Sequence, residues 1–415
     1  MRIEIICTGD EVLTGKITNT NFSYMAQKLE DVGLSVYAET TVGDDRESLL
    51  AAFRLAASRA DAVIVNGGLG PTVDDLSQEI AAQAAGVGLV LHQEWHDRME
   101  SFFTRRGRQM PPNNTKQAML PATAEMIDNP IGTACGFALD IGKARFFFTP
   151  GVPRELRRML EEQVIPRILA RAGAPTSIHL KRFHSYGLGE SHVDQILKGV
   201  EALDPGVKLG FRAHYPQLET KLTVRGTDMD DIHRKLAPVV AEVRKRLGNF
   251  IMAEDEQTLE GVTLKALADA DATLTLVETF TAGQIAARIA HLPGAEKIFR
   301  HGTVVRHLDR LFGIELPAEL DQSATESVTH AAREATGATH VLAVLIELDD
   351  GPDRMDFGGT IHLGIATADR TEYRRSRILG GREWVRLGAV ELALDCLRRF
   401  LQDLPVNERS DFEKT

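Results

Sequence analysis

Three stretches of the sequence set glycine beside carboxylates: CTGDEVLTG at 7–15, TVGDDRE at 41–47 and GGLGPTVDD at 67–75. Glycine lets backbone N–H groups come close to an anion, and the start of a following helix adds a positive dipole end. Carboxylates at Asp10, Glu11, Asp44, Asp45, Asp74 and Asp75 could then hold a hard divalent cation that bridges phosphate oxygens. Together the loops suggest phosphate and metal chemistry. A plainer reading stands beside it: Asp44 and Asp45 cap a helix starting near Arg46, and Asp74 and Asp75 cap one starting at Leu76. Three such loops on one sheet edge favour a site over three unrelated caps. The chain has no G-x-x-x-x-G-K-[ST] run and no G-x-G-x-x-G opening its first helix, so nucleotide kinases and ordinary dehydrogenases lack support.

The elements that must position these loops alternate. RIEIICTG reads as a strand, and TNFSYMAQKLEDVG as a helix with Phe22, Met25, Ala26 and Leu29 on one face and Gly33 at its stop. LSVYAETTVG is the next strand, RESLLAAFRLAASRA the next helix, and DAVIVN a buried strand that runs into the 67–75 loop. Such alternation implies right-handed crossovers and a largely parallel sheet, whose ligands bind where the strands' C-terminal ends gather the loops.

A chain of 415 residues exceeds one ordinary core, so two or three domains are expected. Hydrophobic residues make up 43% and charged ones 26%, with no apolar run near the ~18 residues of a membrane span. MRIEIICTGDE is a strand followed by acids rather than a signal peptide, which gives a cytoplasmic expectation. Cys7, Cys135 and Cys396 lack metal-type spacing and read as core thiols. A net charge of −11 disfavours general nucleic-acid binding.

CTGDEVLTGKITNTN (7–21), TVGDD (41–45), NGGLGPTVDDLS (66–77), NPIGTACGF (129–137), TPGVPREL (149–156) and YGLGES (186–191) resemble, in order and spacing, the CinA family. The resemblance implies an α/β architecture in three parts: a doubly wound MoCF-like domain at 1–172, related to molybdopterin-binding proteins, a small α+β KH-like connector at 173–254, and a CinA-type α/β domain at 257–403. Residues 404–415, polar and without an apolar face, are expected to be a disordered tail. The implied activity is hydrolysis of the pyrophosphate of ADP-ribose, or of a related nicotinamide-nucleotide fragment, to AMP and ribose 5-phosphate. The implied cofactor is a divalent metal (Mg, Mn or Co), with potassium as an addition, and the implied assembly is a homodimer. On the matched motifs Asp74, Asp75 and Asp44 are the expected catalytic residues. Gly9, Gly67, Gly68, Gly70, Thr72, Thr133 and Gly136 are the expected substrate contacts, and Asp10, Glu11 and Asp75 the expected metal ligands. The segment NPIGTACGF also reads as a plain hairpin connection. The alternative function is a non-catalytic pterin- or nucleotide-binding protein, which would keep its ligand in EDTA where the hydrolase would fall silent.

In the connector, YGLGES supplies the glycines of a KH loop with an acid beside them, and His184, His192 and His214 are too dispersed for a metal cluster. In the last domain, relatives with nicotinamide-mononucleotide deamidase activity carry a segment like AESCTGG, its serine the nucleophile. Here LVETFTAGQ places Thr279 at the serine, Phe280 at the cysteine and Ala282 at a glycine, with Glu278, Thr281 and Gly283 retained. RHLDRLFGI (306–314) brings no tyrosine or lysine to the expected interval, and ELDDGPDRMDFGG (347–359) puts acids where a glycine-rich loop is expected. These departures predict a deamidase-like domain without activity, in a structural, dimerising or regulatory role.

Overall fold

A computed structural model describes residues 1–173, 177–306, 309–317 and 319–413. The chain packs into two units, Met1–His179 and Leu180–Thr415.

The first unit opens with β1 (Ile3–Thr8), the short α1 (Asp10–Leu13) and α2 (Thr20–Asp31). The Asn19 side chain caps α2 by accepting from the Phe22 N–H at 3.0 Å, and Met25 and Leu29 form the buried stripe. Then come β2 (Val36–Val42), α3 (Arg46–Arg59), β3 (Ala62–Asn66), α4 (Ser77–Ala85), β4 (Leu89–Leu91), α5 (Gln93–Thr104), β5 (Met119–Pro121) and β6 (Glu125–Ile127). The unit ends in β7 (Gly136–Ile141), β8 (Ala144–Thr149), α6 (Pro153–Met159), one wide turn at Leu160–Val164 and α7 (Ile165–Ala172).

Its main sheet runs β2-β1-β3-β8-β7-β6, with the first four strands parallel and the last two antiparallel. All five residues of β3 are buried, because helices cover both faces of a central parallel strand. On one face Phe53 meets Phe146 and Phe148 edge-on, and Phe137 stacks on Phe148 at 4.3 Å. The register aligns Cys7 with both Thr41 and Asn66, and Asn66 with Thr149. The strand ends therefore lie in one row, and their loops open on the same edge.

The second unit contains two sheets. The first is built from β9 (Ser177–Tyr186), α8 (Glu190–Leu197), β10 (Val207–His214), β11 (Gln217–Gly226), α9 (Met229–Leu247) and β12 (Ile251–Glu254), in the order β10-β11-β9-β12. The second follows α10 (Leu259–Asp269) with β13 (Leu274–Thr279), α11 (Gln284–Ala290), α12 (Ala295–Ile298) and β14 (Phe299–Val305). After a small hairpin, β15 (Arg310–Leu311) and β16 (Ile314–Glu315), come α13 (Gln322–Thr336), β17 (His340–Leu348), β18 (Gly358–Ala366), β19 (Thr371–Leu379) and α14 (Arg382–Leu401). The order is β14-β13-β17-β18-β19, with β13 parallel to both neighbours. Among the described residues no helix is long and apolar enough to cross a membrane.

Residues 404–413 differ from the disorder their composition suggests; 414 and 415 lie outside the described residues. Val406 and Ser410 are buried, and the segment is held by buried arginines of β19 and α14. Composition registers a missing apolar face but is blind to arginines that wait elsewhere in the chain for carbonyl and carboxylate partners.

Candidate functional site

The loops after β1, β2 and β3 enclose a cavity of about 440 Å³. Gly9, Gly67, Gly68 and Gly70 line it together with Glu11, Asp44, Asp74 and Asp75. Gly67 and Gly68 have φ of 111° and 68°, which a side chain opposes. A Cβ on Gly67 would sit 2.5 Å from Thr8 Oγ1, and one on Gly68 would sit 2.4 Å from Ser77 Oγ. The turn is locked behind by Ser77, whose hydroxyl donates to the Gly67 carbonyl at 2.9 Å, and by Gln117, whose amide donates to the Leu69 carbonyl at 3.1 Å.

The carboxylates divide by role. Asp45 is the helix cap: it accepts from the Ser48 N–H at 2.8 Å, and that bond holds its carboxyl below the usual range. Asp10 and Asp44 lock the first two loops reciprocally, each accepting the other's backbone N–H at 3.2 Å. Burial pushes the Asp44 carboxyl up, and the charges of Asp10, Glu11 and Asp74 push in the same direction. Asp75 accepts from both the N–H and the hydroxyl of Thr72, so it folds its own loop. Neither Asp74 nor Asp75 caps the next helix, which starts at Ser77 without a side-chain cap. Thr72 is spent in the same loop bond, and neither it nor Asp10 lines the cavity.

The 129–137 stretch turns out to be both of its readings. It joins the antiparallel β6 and β7, and it brings Thr133 to the cavity wall. Asn129 shapes the connection, donating to the Ala134 carbonyl at 2.9 Å and to Glu155 at 2.7 Å while accepting from Gly132 N–H at 3.1 Å. Gly136 is no ligand contact: it is buried at the start of β7, where a Cβ would lie 2.2 Å from Met159 and 3.1 Å from the Phe148 carbonyl.

Residue types alone missed Thr8, Gln117 and Glu155, which also line the cavity. The Thr8 hydroxyl is buried at the end of β1 with no partner, and its place directly before Gly9 was the available signal. Gln117 sits more than forty residues along the chain and has no motif to mark it. Among the described residues, the one group of His, Cys, Asp and Glu whose ligand atoms converge within 4.8 Å is His96, Asp97 and Glu100 on α5, away from this cavity.

The second candidate region lies at the end of β13. Glu278 is buried and its carboxylate accepts from the Thr281 hydroxyl at 2.6 Å, the Ile285 N–H at 3.1 Å and the Ala286 N–H at 2.9 Å. The Thr279 hydroxyl points to the neighbouring strand, donating to the Val344 carbonyl at 3.2 Å and accepting from the Ile346 N–H at 2.8 Å. Between and after the two threonines the backbone turns left-handed: Phe280, Ala282 and Gly283 have φ of 60°, 58° and 79°. Arg306 lies over the Phe280 ring at 5.6 Å. Residues 307 and 308 of the interval without tyrosine or lysine lie outside the described residues. The acids of 347–359 have structural tasks, for Asp349 pairs with Arg377 at 2.7 Å and Asp353 accepts the Arg382 N–H at 2.7 Å at the start of α14.

Fold and loops together define a multidomain α/β protein with a glycine-and-acid cavity in one unit and a strained threonine turn in the other. Family models match in three consecutive ranges: a probable molybdopterin binding domain over residues 4–170, the damage-inducible protein CinA KH domain over 181–253 and the CinA C-terminal domain over 256–401. A CinA-like protein of Shewanella sp. (strain MR-4) is 36% identical over 97% of this chain and 96% of its own length. The nicotinamide-nucleotide amidohydrolase PncC of Shewanella oneidensis is 37% identical over 97% of this chain and 96% of its own. A crystal structure of the protein CinA from Thermoplasma acidophilum, 30% identical, covers 40% of this chain and 96% of its own, with a TM-score of 0.37. The chain belongs to the CinA family.

The family and the three-part α/β architecture agree with the sequence reading. The expected activity does not. A full-length relative, that of Shewanella oneidensis, is named as an amidohydrolase of nicotinamide nucleotides, which overturns both the ADP-ribose pyrophosphatase assignment and the exclusion of deamidase chemistry. Several of the conspicuous acids hold loops together.

Proposed function

We propose that this protein hydrolyses the carboxamide of a nicotinamide nucleotide, releasing ammonia, and that the β13 turn carries the reaction. The observation behind this reading is the strained turn at 279–283. Non-glycine residues held left-handed cost roughly 1–3 kcal/mol each, and such strain gathers at functional positions. Here two of them bracket Thr281 directly after Thr279. The full-length likeness to the Shewanella oneidensis amidohydrolase supports the same reaction class.

In this reading the Thr279 hydroxyl is the nucleophile. Attack on the carboxamide carbon expels ammonia, and water hydrolyses the resulting ester to give the pyridine carboxylate and restore the hydroxyl. Glu278, next to Thr279 in the chain, is the proposed acceptor of the hydroxyl proton, which it returns to the departing nitrogen as ammonia leaves. Both threonine hydroxyls are shielded, and Thr279 is committed to two backbone groups. The turn must therefore open before attack, and slow turnover is expected. Ammonia release from nicotinamide mononucleotide by the purified chain, measured with an enzyme-coupled assay, tests the proposal. Release above the blank that disappears in Thr279→Ala is the expected result. No release at any concentration of enzyme or substrate would sink it.

For the cavity of the first unit, the reading is ligand binding. Glu11, Asp44 and Asp74 line the cavity and are oxygen donors of the kind a hard divalent cation takes. Such a cation would neutralise a phosphate beside the glycine turn. Asp75 lines the same cavity, with one carboxylate oxygen taken by Thr72. Added magnesium or manganese should raise the Tm of the wild type and have less effect on Asp44→Asn.

A further inference from the structure

After α14 the chain folds back over the second unit as a strap whose contacts are specific to side-chain type. Arg374 on β19 is 4% exposed; it donates to the Val406 carbonyl at 2.5 Å and the Glu408 carbonyl at 2.9 Å, and pairs with the Glu413 carboxylate. The Ser376 hydroxyl donates to the other Glu413 oxygen at 3.0 Å. The Asp411 N–H donates to the Gly187 carbonyl at 2.7 Å, and its carboxylate accepts from the Gly189 N–H at 2.8 Å and lies 2.9 Å from His192 Nδ1. The Phe412 ring packs against Tyr186 and Tyr215, with centroids 6.0 and 5.6 Å away. Gly187, at φ 93°, is where the strap comes closest, since a Cβ there would lie 3.0 Å from Ser410 Cβ.

We propose that this seat is a recognition site for an acidic–aromatic peptide, filled in cis by Ser410–Glu413 and able to take the same motif in trans when the cis copy is released. Three features define the ligand. A buried guanidinium requires a carboxylate, because leaving Arg374 unpaired in that position is strongly unfavourable. The two tyrosines require an aromatic ring on the residue before it. The Gly187–Gly189 loop and His192 require a carboxylate and a backbone N–H on the residue before that. Every one of these groups belongs to the segment from β9 to β19 and none to the strap itself. The outer side of the strap is open to solvent at Asn407, Arg409 and Asp411, as expected of a layer laid on a finished surface. Tethering gives the cis motif a millimolar effective concentration, so the wild-type seat resists exchange.

The test uses the full chain carrying Asp411→Asn, Phe412→Ala and Glu413→Gln, and a fluorescein-labelled peptide with the sequence of residues 406–413. Fluorescence polarisation should report binding at least about tenfold tighter to the variant than to the wild type, whose seat is filled. A control peptide carrying the same three substitutions should lose that binding. Equal binding of both peptides, or none by a variant with a cooperative melt, would overturn the proposal. A variant that fails to fold even with peptide present would also overturn it, since the strap would then be integral to the fold. Hydrogen exchange on the wild type gives an independent reading: the Gly189 amide should exchange faster than core amides of β17, and exchange only through global unfolding would count against a releasable strap.

Discussion

The loops after β3 and β13 solve the same geometric problem with opposite residues. Each follows a fully buried central strand of a sheet and must turn sharply before the next helix. After β3 the left-handed positions are Gly67 and Gly68, and the backbone relaxes around an open cavity. After β13 they are Phe280, Ala282 and Gly283, and the turn closes over two threonine hydroxyls. The first arrangement suits a ligand that arrives from solvent. The second stores strain around groups that must be uncovered to react. In the proposed reading, conspicuous acids and glycines mark the place to bind and backbone strain marks the place of reaction.

The largest expected effect separates the two loops outright. Thr279→Ala should reduce ammonia release to the blank while Asp74→Ala leaves it standing, and the reverse result would exchange their roles. Next, Glu278→Gln keeps the shape of a side chain that accepts three hydrogen bonds but sets an amide N–H₂ against donors; a loss of about 1–3 kcal/mol in denaturant unfolding is expected. Ala282→Gly should act in the other direction, stabilising by about 0.5–1 kcal/mol because it relieves a left-handed alanine whose side chain is exposed. If it leaves stability unchanged, the strain assigned to the turn is absent.

The smallest effect concerns pH in the first loop cluster. The Asp44 carboxyl is raised by burial and then by the charges of Asp10, Glu11 and Asp74, so its contribution to stability is present in acid and lost as pH rises through its folded pKa. Asp44→Asn should accordingly melt slightly above the wild type near neutral pH. The gap should close as pH falls into the ordinary carboxylate range and the wild type regains its proton. A gap that widens in acid would mean that the ionised carboxylate is the favoured form.

Much of the scaffold was legible because its signals are local. The alternation of apolar strands with amphipathic helices, the Gly33 stop after α2 and the Asp45 cap of α3 each follow from neighbours a few residues apart. The order of the glycine loops along one sheet edge follows from parallel crossovers. Sequence by itself therefore determined the fold class, the family and the sheet edge at which the loops of the first unit gather.

Tertiary structure decided which side chains are available. Asp75 looks like a free carboxylate until Thr72 is found on one of its oxygens, and Gly136 looks like a ligand contact until Met159 is found against its α-carbon. Gln117 reaches the cavity from a segment without a motif, and Ser410–Glu413 is ordered by Arg374, Ser376, His192, two tyrosines and the Gly187 loop. Apart from Thr72, three residues from Asp75, these partners lie tens to hundreds of residues away along the chain. A polar side chain states what bonds it can make; only the folded core decides which of them are already made.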